Sequence, residues 1–205
     1  MGKSLKSASS RYDVTGRLTA LLDTGESLFV QGYDTAQPRL IAHTAGVSVG
    51  LFYRHFRNKQ ELLTAIMIRH LDLLHSQIMQ ALTPSLSPVE ALQTVLLLTL
   101  QYFQQQQGLI KLFFMQIGYG DTTATEQLQP TRQTYRTLLL QVLEAGMAQE
   151  VFLPPDQLDI QLAINSIIGT INWSLYDLLV IQNETFDSEA LAQKLTTHLL
   201  RGLTR

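Results

Sequence analysis

The sequence contains no cysteine and one tryptophan, and only 16% of its 205 residues are Asp, Glu, Lys or Arg. Without cysteine there can be no disulfide, no thiolate nucleophile and no Cys-bound metal, which fits a reducing compartment. No long apolar run is evident. The most apolar stretch, Val95 to Leu100, is far too short to span a bilayer and is soon followed by glutamines. The opening residues, MGKSLKSASSRYDVTG, lack the apolar centre of a secretion signal. His43, His70, His75 and His198 form no H-E-x-x-H or similar ligand set, so no metal and no other cofactor is implied. No alternating strand pattern and no internal repeat is present. The expectation from these absences is a soluble, cytoplasmic protein with no membrane partner.

What is present is aliphatic. Hydrophobic residues make up 45% of the chain, dominated by Leu, a good helix former. The charge is unevenly spread. Positions 1–70 carry nine Lys/Arg against five Asp/Glu, a balance of +4, and the remainder carries six against twelve, giving the overall −2. A basic N-terminal third on an acidic body suggests a polyanion partner at one end.

Gly and Pro punctuation divides the chain into helix-sized pieces. The first runs from about Thr15 to Gln31, and short segments follow at Pro38–Ala45 and Val49–Phe56. A long one runs from Lys59 to about Leu82, with apolar residues three or four apart and a length of ~36 Å. Ser87-Pro88-Val89-Glu90 is a capping box with proline at the first helical position, and it opens a helix through Gln107. Gly108 to Ile117 reads as a short apolar helix, and Gly118 to Thr125 as a loop. Glu126 to Glu150 reads as a helix made irregular by Pro130. Two last helices span about Asp156–Ile181 and Ser188–Leu203. The fold class is all-α.

The segment Gly32 to Leu63, GYDTAQPRLIAHTAGVSVGLFYRHFRNKQELL, is the informative one. Ile41, Ala42 and Ala45 form the buried face of a short helix. Gly46 permits a turn with positive φ, Val47 plugs the core beneath it, and Ser48 caps the next helix. Two short helices joined by a glycine turn form a helix-turn-helix, whose second helix enters the major groove. Around that helix lie Tyr53, Arg54, His55, Arg57 and Lys59, donors suited to phosphate oxygens.

This segment resembles the tetracycline-repressor (TetR) family of regulators. The pattern is carried by Gly32-Tyr33, Ile41-Ala42, Ala45-Gly46-Val47-Ser48, Gly50, Tyr53, His55-Phe56, Lys59 and Leu62, and the likeness spans roughly residues 15–65. The resemblance implies a flexible arm over 1–14, a three-helix DNA-binding domain over 15–65, and a helical ligand-binding and dimerisation bundle over 66–205. It implies that Val49, Gly50, Leu51 and Tyr53 face DNA, that Tyr53, His55 and Lys59 hold phosphates, and that Ser48 serves the helix start. Arg39 falls where some members reach DNA. The chain departs from the pattern at three places. Asp23-Thr24-Gly25 interrupts a helix usually rich in alanine. Ala36-Gln37-Pro38 replaces the usual cap, leaving Thr35 to act instead. Leu51 stands where a small or hydroxyl residue is common.

A different class of function is written in the same residues. Gly46-Val47-Ser48-Val49-Gly50 is a literal G-x-S-x-G, the elbow that exposes a nucleophilic serine in hydrolases. That mechanism needs a β-strand before Gly46, and PRLIAHTA reads as a helix, so an enzyme is not expected. A helical interaction protein without DNA binding is the remaining alternative.

In the second half, Phe103, Phe113, Phe114, Tyr135, Asn165, Asn172, Trp173 and Tyr176 are candidates to line a small-molecule cavity. Asn165 and Asn172 stand out because buried amides need partners. The last two helices resemble the family's dimer interface. Ser166, Gly169 and Thr170 form a small-residue patch flanked by Leu162, with Leu195 and Leu199 on the final helix. The expected partners are operator DNA, a small, largely apolar effector, and a second copy of the chain. The expected function is a repressor that a ligand releases from a palindromic operator.

Overall fold

The computed structural model describes residues 14–118 and 122–204. The expected N-terminal arm therefore lies, apart from the Val14 backbone, outside the described residues, as does the side chain of Phe113. Among the described residues, nine α-helices follow in order: α1 (Val14–Gly32), α2 (Pro38–Thr44), α3 (Val49–His55), α4 (Lys59–Ala81), α5 (Pro88–Gln105), α6 (Gln107–Gly118), α7 (Thr122–Ala148), α8 (Ile160–Tyr176) and α9 (Ser188–Leu203). A π-helical turn, Asp177–Gln182, extends α8. No strand occurs among the described residues. Contacts divide the chain into two compact units, Met1–Ile66 and Met67–Arg205.

The first unit is built on Leu21, Phe29, Ile41, Phe52, Leu62 and Ile66, none more than 2% exposed. The expected interruption at Asp23-Thr24-Gly25 does not occur: α1 is continuous through it. Gly25 is buried, and a Cβ there would sit 2.6 Å from Leu62 Cδ2. Its missing side chain lets α1 and the start of α4 approach closely, which offsets glycine's poor helix propensity. Thr35 does not cap α2. Its hydroxyl donates to the Gly32 carbonyl at 3.0 Å, and α2 has Gln37 at its N-cap, with no side-chain cap, and Pro38 as its first residue.

The second unit centres on α5, which packs against α6, α7, α8 and α9. Its first turn carries the capping box, with Ser87 accepting from the Glu90 N–H and Glu90 accepting from the Ser87 N–H. The hydrogen bond from the Ser87 hydroxyl also holds the Glu90 carboxyl below the usual carboxylate range. Two boundaries differ from the sequence reading. Helix α7 starts at Thr122, not Glu126, and runs through Pro130. Proline there forfeits one rung of the ladder, and the many turns on either side hold the helix together. Asp159 caps α8 by accepting from the N–H groups of Gln161 and Leu162, so that helix starts later than Asp156. Asp187 caps α9 in the same way.

The longest apolar helical stretch is not Val95 to Leu100. Ile160–Gln182 is long and apolar enough to cross a membrane by length and composition, and only 28% of its most apolar window is buried.

Candidate nucleic-acid interface and effector cavity

The turn between α2 and α3 follows from two residues. Gly46 adopts φ +68°, the left-handed conformation that side chains resist. The Val47 N–H then reaches the Ala42 carbonyl at 2.9 Å and the Gly46 N–H the His43 carbonyl at 3.1 Å. This is the Schellman closure of a helix end. Ser48 opens α3, its hydroxyl oxygen accepting from the Leu51 N–H at 3.1 Å. Ser48 is thus a cap preceded by a helix, without the strand that a nucleophile elbow requires.

Helix α3 has two faces. Phe52 and Phe56 point into the core at 0% and 5% exposure, their ring centroids 5.8 Å apart. Tyr53, 55% exposed, lies edge-on to Phe52 at 5.3 Å. Arg54 and Gly50 are exposed, Val49 and Leu51 half-buried, and Arg39 is exposed on α2. A hollow on this side is lined by Arg17, Ser48, Gly50, Leu51 and Arg54. Arg17, in the first turn of α1, was missed by the sequence reading because no motif marks it.

Two expected phosphate donors are differently placed. The Lys59 ammonium donates to the carbonyls of Tyr33 at 2.8 Å and Asp34 at 3.3 Å and lies 4.3 Å from the centroid of the Tyr33 ring. Two of its three hydrogens are therefore spent inside the unit. His55 is half-buried, with Nε2 enclosed and without a partner.

The second unit holds a cavity of about 220 Å³. Leu71, Leu74 and His75 of α4, Thr99 and Phe103 of α5, Thr131, Arg132, Tyr135 and Arg136 of α7, and Ile168 and Asn172 of α8 form its wall. Of the expected lining residues, Phe103, Tyr135 and Asn172 are there. Asn165 is exposed and accepts from Arg136 Nη1 at 2.7 Å, while Gln161 accepts from Arg136 Nη2 at 2.7 Å. Phe114, Tyr176 and Trp173 form a separate aromatic group, with centroids 4.5 Å and 5.5 Å apart in sequence, and Trp173 is 66% exposed.

Apart from Tyr135 and Asn172, the polar part of the wall escaped the sequence reading. Thr99 donates to the Val95 carbonyl at 2.8 Å, so the Tyr135 hydroxyl, 3.1 Å away, donates to Thr99. Burial pushes the Tyr135 phenol up to about 12. His75 stacks on the Tyr135 ring at 5.7 Å and 23°. It is buried, and neither of its ring nitrogens has a hydrogen-bond partner. Desolvation lowers its pKa from the ordinary 6.5, against a smaller opposing pull from Asp72.

Along α8, Leu162, Ser166, Gly169 and Trp173 follow one another at spacings of four, three and four and are all exposed, and Thr170 beside them is half-buried. Leu195 is half-buried on α9. Leu199 is corrected: it is 8% exposed and belongs to the unit's own core, because α9 turns that face towards α5.

Residues 21–66 match the family of bacterial regulatory proteins called tetR, and residues 85–176 match the tetracyclin repressor-like C-terminal domain. The chain belongs to the tetR family. The helix-turn-helix lies inside the first match, and all of the cavity wall except its α4 residues lies inside the second. Among similar proteins is the HTH-type transcriptional regulator YhgD of Bacillus subtilis, 24% identical over 92% of this chain and 97% of its own. The HTH-type transcriptional repressor KstR2 of Mycolicibacterium smegmatis is 23% identical over 75% of each chain. The structure of FadR from Bacillus subtilis in complex with stearoyl-CoA has the same fold, with a TM-score of 0.80 at 20% identity, covering 90% of this chain and 98% of that one. As a tetR-family member, the protein is a DNA-binding transcriptional regulator.

Proposed function

We propose that the protein is a homodimeric repressor whose α3 helices read an operator and which lets go of DNA when a small molecule fills the cavity of the second unit. The observation that carries this reading is the outward face of the helix-turn-helix. It presents Arg17, Arg39, Ser48, Tyr53 and Arg54 as donors, with an uncovered glycine at position 50 between them. A Cβ on Gly50 would meet nothing closer than Ser48 Oγ at 3.9 Å. The fold does not demand glycine there, whereas close approach of the helix backbone to another molecule does.

Dimerisation is supported by α8. A single reading head makes too few base contacts for selective binding, and helix-turn-helix dimers place two heads about 34–36 Å apart. The exposed Leu162–Ser166–Gly169–Trp173 stripe is apolar and has small residues at its centre, which suits close packing against a second copy. Arg136, Asn165 and Gln161 beside it form a hydrogen-bonded rim unsuited to lipid.

Ligand control is supported by the cavity and by α4. This one helix carries both Lys59, which ties down the end of α1, and His75, which lines the cavity. The repressor sense accords with KstR2, and an effector accords with the stearoyl-CoA bound by the Bacillus FadR.

A mobility-shift assay with DNA flanking the gene tests the reading. Retarded DNA that resists nonspecific competitor and is lost in Tyr53→Ala supports it. Failure to bind any flanking DNA would favour a helical interaction protein.

A further inference from the structure

His75 is only 4% exposed, yet neither Nδ1 nor Nε2 is hydrogen-bonded. Buried polar groups in folded proteins are nearly always satisfied. The unmet ring lines the cavity and is held by its stack on Tyr135, so its missing partner belongs on the cavity side. Burial keeps the imidazole below its ordinary value although Asp72 pulls the other way. A neutral ring offers one donor and one acceptor nitrogen.

Among the described residues, the charged groups of the wall have one sign: Arg132 and Arg136 line the cavity, and no described Asp or Glu does. Asp72, the carboxylate that acts on His75, lies outside the wall and accepts from the Thr131 hydroxyl at 3.5 Å. Arg136 uses two N–H groups on Asn165 and Gln161, which leaves three of the five donors of a guanidinium. A largely apolar effector would leave this side of the wall unanswered.

Size narrows the choice. A cavity of roughly 150 Å³ takes up benzene, and this one measures about 220 Å³. We propose that the cavity binds a small organic acid of about six to ten heavy atoms, with its carboxylate met by Arg132, Arg136 and His75 and its apolar body against Leu74, Phe103 and Ile168. This rests on the reading that the cavity is the effector site, and it adds a carboxylate to the small, largely apolar effector expected there.

The test is calorimetry on the full-length protein with hexanoate, benzoate and phenylacetate, each against its own primary amide, with octanoyl-CoA as a further ligand. The expected result is that at least one acid binds about tenfold or more tighter than its amide. Arg132→Gln should reduce that preference to about threefold or less, and His75→Phe should weaken the acid about fivefold or more, with helicity unchanged in both. The proposal is overturned if no acid outbinds its amide, if only the CoA ester binds, or if the preference survives in Arg132→Gln. Anisotropy of operator DNA separates the two readings. Acid binding without release of DNA keeps the acid site and sinks ligand release. Release by the CoA ester alone keeps ligand release and sinks the acid site.

Discussion

Lys59 and Tyr33 stand 26 residues apart and meet twice, through a 2.8 Å hydrogen bond from the ammonium to the Tyr33 carbonyl and through the ring face 4.3 Å below the same nitrogen. The contact fixes the end of α1 against the start of α4. Lysine in this place is therefore part of the scaffold that aims α3, beyond any phosphate it reaches with its remaining hydrogen.

Lys59→Ala should accordingly destabilise the protein. A hydrogen bond to a charged group contributes about 1.5–3 kcal/mol, and an exposed cation–π contact about 0.5–1 kcal/mol. With Lys59 half-exposed, a loss of about 1–3 kcal/mol is expected. Denaturant unfolding measures it. Arg54→Ala, by contrast, should leave the unfolding midpoint unchanged and lower the slope of log affinity against log salt by about one unit.

Gly50→Ala separates fold from recognition. Nothing among the described residues obstructs the added methyl, and alanine is favoured over glycine in a helix by about 1 kcal/mol. Thermal unfolding should show equal or greater stability. Operator affinity in the same preparation should fall. Unchanged affinity would mean that α3 does not approach DNA along that face.

His75 makes stability depend on pH. Its folded pKa lies below 6.5, so between the two values the unfolded chain binds a proton that the folded chain resists. The contribution of this residue is complete above pH 6.5 and declines as pH falls towards the folded value. His75→Phe should flatten the stability curve between about pH 7 and pH 5 relative to the parent. An identical acid limb in both proteins would assign the decline to other groups.

Trp173 is two-thirds exposed at the end of the α8 stripe. Trp173→Arg should convert a dimer to a monomer in light scattering at micromolar concentration, with helicity intact. A parent protein that is already monomeric would remove α8 as an interface.

The sequence is most legible where structure is local. Gly46 and Ser48 specify the turn and the cap of α3 within four residues of themselves, and Ser87 and Glu90 do the same for α5. The inward positions Phe52 and Phe56 follow from their spacing. What could not be read depends on packing between distant segments. Lys59 looks like a free cation until the end of α1 is folded beside it. Gly25 looks like a break until Leu62 fills the space its side chain lacks. Phe103 and Asn172 mark two of the cavity's helices, but the rest of its wall rests on which face α4 and α7 turn inward. His75, Arg132 and Arg136 sit in segments where no motif or capping signal marks that choice. Leu199 reads as a dimer-interface residue for the same reason.

In the proposed function, this regulator holds operator DNA through α3 and releases it through the cavity. Ligand affinity measured by calorimetry with and without saturating operator tests this most directly, because coupling between two sites is reciprocal. An acid that binds the cavity should bind the DNA complex more weakly by about 5–150-fold, matching its effect on DNA affinity. Identical ligand affinity in the presence and absence of operator would contradict the account.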